Sequence, residues 1–155
     1  MAIQYYIAYG SNLHTKQMKA RCPDSKLINT GLLKNYQLLF KGTYTGYATV
    51  VPKEGYDLPV AIYIVSDDDL KRLDRYEGVA KRVYSRDEID LSEIEFNDTP
   101  LKGKAFIYTM IDKPAVEFLA PSMQYMHILW YAYREEHGFN IDYLYNALKD
   151  SIYNR

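Results

Sequence analysis

Six consecutive apolar residues, Val60-Ala61-Ile62-Tyr63-Ile64-Val65, constrain this chain more than any other stretch. A strand with one wet face alternates polar and apolar side chains, so an unbroken run predicts a strand covered on both faces. Other β-like runs surround it in sequence. They are Ile3 to Tyr9, Lys26 to Leu33, Tyr36 to Lys41, Tyr47 to Val51, Arg82 to Leu91 and Lys102 to Ile111. Lys34-Asn35, Gly42 to Gly46, Pro52 with Gly55 to Pro59, and Asn97 to Pro100 read as the breaks between them. Helical patterns fall between and after the strands: His14 to Arg21, Ser66 to Glu77, Met123 to His137, and Ile141 to Tyr153. This mixture predicts an α+β fold, with short strands numerous enough to curl into a small mixed β-barrel with surrounding helices. A length of 155 residues suits a single domain spanning 1–155.

Two of the helices carry unusual signals. Ser66 and Asp69 have the spacing of a capping pair, and Gly78 is placed to end the helix they begin. Leu70 and Leu73 form its apolar face. Glu77 lies seven and four residues beyond them, on that same face. A carboxylate in line with core leucines is costly unless paired or protonated. Asp74 lies near that face and is the weaker candidate. The first helix is entered through Tyr9-Gly10-Ser11-Asn12-Leu13, a tight turn straight after the first strand. Gly10 tolerates positive φ, while Ser11 and Asn12 favour turns and N-caps. Neighbouring N–H groups left free at such a turn make a concave site for a carboxylate or a developing oxyanion. Cradle and carboxylate together predict an acid–base site, because burial would raise the Glu77 pKa toward neutrality. From spacing alone, a buried ion pair at Glu77 is an equal alternative.

Other chemistries find little support. His14, His127 and His137 are far apart in sequence and are expected on surfaces or helix ends, so no metal site is predicted. The single cysteine, Cys22, precedes a proline and reads as an ordinary thiol. Neither a P-loop lysine nor a G-x-G-x-x-G pattern occurs. Net charge is −1, and the cations from Lys71 to Arg86 are offset by acidic neighbours such as Asp67, Asp68, Asp69 and Asp87, which predicts a salt-bridged face and no nucleic-acid partner. No membrane partner is expected either: no stretch approaches the ~20 apolar residues of a membrane span. The first residues lack a basic segment followed by a long apolar run, so a cytoplasmic location is expected.

Tyr9-Gly10-Ser11-Asn12-Leu13 after an N-terminal strand, followed by Leu73-Asp74-Arg75-Tyr76-Glu77-Gly78-Val79, resembles the γ-glutamylcyclotransferase superfamily. The similarity extends to Gly46-Tyr47-Ala48-Thr49, Tyr84, and Pro121-Ser122 followed by Tyr125. The resemblance implies a small β-barrel with packed helices and an enzyme without a cofactor. Its substrate would be a small γ-glutamyl compound, and the protein a monomer or homodimer. The substrate's α-amine would attack its own γ-carbonyl, releasing 5-oxoproline and an amine or amino acid. Glu77 would be the general acid/base. Gly10, Ser11, Asn12 and Leu13, with Tyr9 beside them, would bind the substrate's polar end, and Tyr125 would add a hydroxyl contact. Met123-Gln124 stands where relatives often carry a second proline, which leaves the leaving group open. The alternative is a non-catalytic small-ligand-binding module of the same fold.

Overall fold

The structure, a computed structural model, describes residues 3–153. Seven strands form one sheet: β1 (Gln4–Ala8), β2 (Lys26–Gly42), β3 (Tyr47–Val65), β4 (Tyr84–Asp90), β5 (Ile94–Phe96), β6 (Lys104–Met110) and β7 (Glu117–Phe118). Their order is β4-β6-β1-β3-β2-β5, with β7 added beside β2. Four helices accompany them: α1 (Thr15–Arg21), α2 (Asp67–Tyr76), α3 (Met123–Tyr131) and α4 (Asp142–Tyr153). The architecture is therefore α+β, with a sheet that curls without closing into a ring.

The apolar run at Val60–Val65 occupies the expected place. It pairs antiparallel with β1 on one side and with β2 on the other, and residues 60–63 and Val65 are buried. β1 in turn meets β6 in the one parallel pairing among the described strands.

The breaks read at Lys34-Asn35 and at Pro52 through Pro59 are corrected. β2 and β3 run through them as two long strands. Asn35 takes a left-handed turn (φ 65°), and pairing slips from Lys34↔Asp57 to Tyr36↔Pro52 across an irregularity. Pro52 lies at the edge of this irregularity, where pairing resumes with Tyr36. β5 and β7 are too short to leave a periodic signal and were not expected. The capping pair holds in part: Ser66 Oγ accepts from Asp69 N–H at 3.0 Å, whereas the Asp69 carboxylate turns to Arg72. On α4 the buried residues are Leu144, Ala147 and Ser151, while Tyr145 and Ile152 face outward. Ser151 docks this buried face on β2, its hydroxyl accepting from Phe40 N–H at 2.8 Å.

The helix after β1 falls where expected, with His14 at its cap, but the turn before it differs. Residues Ser11–Leu13 form a single 3-10 turn, and α1 starts at Thr15 with His14 as its cap. Gly10 has φ −113°, outside the left-handed region, and neither Ser11 nor Asn12 caps a helix with its side chain.

Candidate active site

The loop at residues 9–12 and the end of α2 face each other across a cavity of about 420 Å³. Tyr9, Gly10, Ser11, Asn12, Glu77 and Tyr125 all line it. Leu13 does not: its side chain is fully buried beneath the loop, and its N–H is spent on the Gly10 carbonyl at 2.9 Å. The His14 N–H is likewise spent on Ser11. The first N–H groups of a helical turn have no partner within it, so those of Ser11 and Asn12 are the ones a ligand can use.

Glycine at position 10 is explained by space. A Cβ there would lie 3.2 Å from Ala48 Cβ and 3.4 Å from the Tyr125 hydroxyl. Tyr125 is delivered to that point by another close approach. Gly46 N–H donates to the Ala120 carbonyl at 3.0 Å, and a Cβ on Gly46 would sit 2.0 Å from the Leu119 carbonyl oxygen. The segment leading into α3 can therefore lie directly on the start of β3. Ser122 then caps α3, and Tyr125 lands one turn in, its hydroxyl accepting from Ala48 N–H at 3.1 Å. Tyr84 grips the same residue on its other side, donating to the Ala48 carbonyl at 2.8 Å.

Glu77 closes α2. Its N–H bonds back to Leu73, and Gly78, at φ +64°, turns the chain away in the left-handed conformation that glycine adopts freely. The carboxylate points into the cavity with no hydrogen bond to it from the described residues. Burial pushes its carboxyl up to about 7, against a downward pull from the Arg21 guanidinium. The negative end of the α2 dipole opposes its charge as well. The ion pair that spacing alone left open is not formed. Asp74, the weaker candidate, has the opposite surroundings: Tyr108 donates to it at 2.6 Å and Arg86 at 2.7 Å.

Four tyrosines wall this carboxylate. Tyr6, Tyr9, Tyr84 and Tyr125 are all held above the usual phenol pKa, first by burial and then in part by the Glu77 charge. They stay neutral, so their hydroxyls can orient a ligand but supply no second base. Tyr9 donates to the Tyr108 carbonyl at 2.6 Å, which pins β1 to β6 beneath the loop.

Arg21 and Gln17 were not foreseen. Both lie on α1, one turn apart, and both line the cavity. Arg21 Nη1 donates to Asn12 Oδ1 at 2.9 Å and stacks its guanidinium 4.8 Å from the Tyr76 ring centre. Asn12 in turn donates to the Tyr6 hydroxyl at 2.9 Å. An arginine at a helix end is usually read as a dipole partner, and only the folding of α1 back against the loop reveals this contact.

Two of the scattered histidines also converge, behind the loop. His137 Nε2 donates to the Leu13 carbonyl at 2.7 Å. Glu136 accepts from both the N–H and the hydroxyl of Thr15, with His14 Nδ1 3.9 Å away. Both residues come from the end of α3, where residues Ala132–Glu136 loosen into a π-helical turn. No group of three or more metal-ligating side chains occurs among the described residues. Nor is any described helix long and apolar enough to cross a membrane.

Comparison with known proteins places this geometry. The profile of the family described as gamma-glutamyl cyclotransferase, AIG2-like, matches residues 6–127. A bovine gamma-glutamylcyclotransferase is 25% identical over 146 residues, covering 89% of this chain and 73% of the bovine protein. The human gamma-glutamylcyclotransferase shows the same identity and coverage. A solved structure of a gamma-glutamyl cyclotransferase superposes with a TM-score of 0.78 at 22% identity, covering 94% of this chain and 86% of its own. Matched from the first strand to the third helix, the chain belongs to the AIG2-like gamma-glutamyl cyclotransferase family.

Proposed function

We propose that this protein is a γ-glutamyl cyclotransferase, releasing 5-oxoproline from a γ-glutamyl amine or γ-glutamyl amino acid, with Glu77 as the general acid/base. One observation carries the reading: an unpartnered carboxyl, poised at about 7, faces free loop N–H groups across a single cavity.

The reaction needs little else. The nucleophile and the electrophile already belong to one molecule, so the protein mainly folds the glutamyl chain into an attack geometry. Such orientation is worth ~7–11 kcal/mol. The ionised Glu77 takes a proton from the substrate's α-ammonium, and the free amine attacks the γ-carbonyl carbon. The carbonyl oxygen becomes an oxyanion, held by the N–H groups of Ser11 and Asn12. The intermediate then collapses. The bond from the γ-carbon to the leaving nitrogen breaks as Glu77 returns its proton to that nitrogen, and the second proton of the ring nitrogen then passes through Glu77 to the departing amine, leaving a neutral lactam and an ammonium. An amide is exchanged for a lactam, and no water is consumed. Arg21, beside Asn12, supplies the cation that the substrate's α-carboxylate would meet.

The test is 5-oxoproline release from γ-glutamyl-alanine, γ-glutamyl-ε-lysine, a γ-glutamyl polyamine and glutathione, with wild type and Glu77→Gln side by side. Release by the wild type and its loss in a folded Glu77→Gln support the reading. A Glu77→Gln variant with near wild-type rate would sink the mechanism. Calorimetric binding without product from any compound would favour a binding module.

A further inference from the structure

The active-site cavity has an apolar annex. A second cavity of about 360 Å³ opens on the other side of Tyr47, Val83 and Tyr84, and these three residues line both spaces. Its floor is Met110 and Ile111, at the end of β6, and Val116 stands at its far side. Two features make it a built feature of the fold. Ile111 N–H donates to the Val83 carbonyl at 2.9 Å, which fixes the floor to one wall. The opposite wall is the turn at residues 42–46. A Cβ on Gly42 there would lie 1.9 Å from the Thr45 carbonyl oxygen, so the turn is drawn tight against itself.

Two of the three junction residues present uncovered apolar surface. Tyr47 is 47% exposed and Val83 is 44% exposed. Tyr47 is held in place by Tyr125, edge to face at 5.3 Å. Apolar surface left open beside a reactive cavity gains free energy when a ligand covers it. The loop N–H groups and Arg21 lie on the main cavity's polar side and suit the glutamyl half. What extends past Glu77 toward Tyr47 and Val83 is the leaving half.

We propose that the annex is the leaving-group subsite and takes an apolar side chain, so that the preferred substrates are γ-glutamyl compounds of hydrophobic amines or amino acids. This rests on the cyclotransferase reading of the main cavity. The occupant is fixed by proximity: the annex shares three lining residues with the reactive cavity, and apart from Lys113 its remaining lining is uncharged and largely hydrocarbon.

The experiment compares γ-glutamyl-glycine, γ-glutamyl-leucine and γ-glutamyl-phenylalanine on wild type, Val116→Asp and Ala115→Asp. Both substituted residues line the annex and neither lines the main cavity. The wild type is expected to favour leucine and phenylalanine over glycine by about 10-fold or more in kcat/KM. Each aspartate variant is expected to lose most of that preference while turning over γ-glutamyl-glycine within about two-fold of wild type. Equal kcat/KM for all three compounds, or a preference that survives in both variants, overturns the subsite while 5-oxoproline release leaves the reaction intact. If wild type releases none from any compound, the reaction reading fails, and calorimetric affinities of the same compounds decide the subsite. Tighter binding of the leucine and phenylalanine compounds, abolished in Val116→Asp, supports it. Equal or absent binding overturns it.

Discussion

The loop at residues 9–13 has a carboxylate on each side, and the two are treated in opposite ways. In front stands Glu77, facing the cavity with no bond from the described residues and pushed up to about 7 by burial. Behind stands Glu136, saturated by the N–H and hydroxyl of Thr15 and lying 3.9 Å from His14. Glu136 spends its charge on holding the backbone still. Glu77 keeps its lone pairs unspent, at a cost in stability, and is thereby free to exchange a proton. The contrast teaches how to sort acidic residues around a site: satisfied ones hold the frame, and unsatisfied ones are the candidates for chemistry.

Glu77→Gln should separate chemistry from stability most sharply. Turnover should fall by about 10²- to 10⁴-fold, the range for loss of an acid–base group. Stability should move the other way. The folded carboxyl sits above its ordinary value of 4.5, so its contribution is full below that pH and is lost as pH rises through about 7. Thermal melts should therefore coincide for wild type and Glu77→Gln below pH 4.5. Above pH 7 the variant should melt a few degrees higher. In the wild type, kcat/KM should rise with pH through about 7, because the ionised form accepts the proton. A flat profile between pH 5 and 8, or a variant less stable at pH 8, would erase the distinction between the two carboxylates.

Glu136→Ala should show the mirror image. Two bonds to Thr15 are lost, one donor being a backbone N–H, and the expected cost is about 1–3 kcal/mol in denaturant unfolding. KM should rise as the loop loosens, with kcat less affected than KM. If Glu136→Ala abolished kcat and left stability untouched, the back of the loop would share in the chemistry.

Gly10→Ala probes the front surface itself. The added methyl meets Ala48 at 3.2 Å and the Tyr125 hydroxyl at 3.4 Å, so its neighbours must shift by a few tenths of an ångström. Loss of about 10-fold in kcat/KM is expected, below the effect of a full 1 Å displacement. A wild-type rate would show that the loop and Tyr125 need not be in close contact.

The front of the site was more legible in sequence than the back, for physical reasons. Glu77 announced itself because a carboxylate in phase with Leu70 and Leu73 violates the helical pattern, and a violation is visible locally. The Gly10-Ser11-Asn12 turn was located by its turn-forming residue types, although Gly10 is needed for close contact with Ala48 and Tyr125 and neither Ser11 nor Asn12 caps a helix. Glu136 and His137 gave no such sign: they sit 121 and 124 residues from their partners Thr15 and Leu13. A polar residue near a helix end fits solvent equally well, so only tertiary contact distinguishes the two. The long strands β2 and β3 were split in reading for a related reason. Pro52, Gly55 and Asn35 are turn formers, and in the fold they mark an irregularity that two paired strands absorb. Arg21 was missed because its role is set by where α1 folds, not by its neighbours in sequence.

The smallest expected effect is the most discriminating for the back of the loop. His14 touches the same cluster as Glu136, but its ring nitrogen accepts from Gln17 N–H at 3.4 Å, as a cap on α1. The ring also lies 5.3 Å from that of Tyr131. If Glu136 anchors Thr15 by itself, His14→Ala removes only a long cap bond and some ring packing. The cost should be about 0.5–1 kcal/mol, with KM unchanged. His14→Asn keeps an acceptor at the cap and should recover most of that loss. A His14→Ala variant as damaging as Glu136→Ala in both stability and KM, and not rescued by asparagine, would mean that the two side chains hold the loop as one unit. The frame behind the loop would then be a coupled pair of side chains, neither of which holds Thr15 alone.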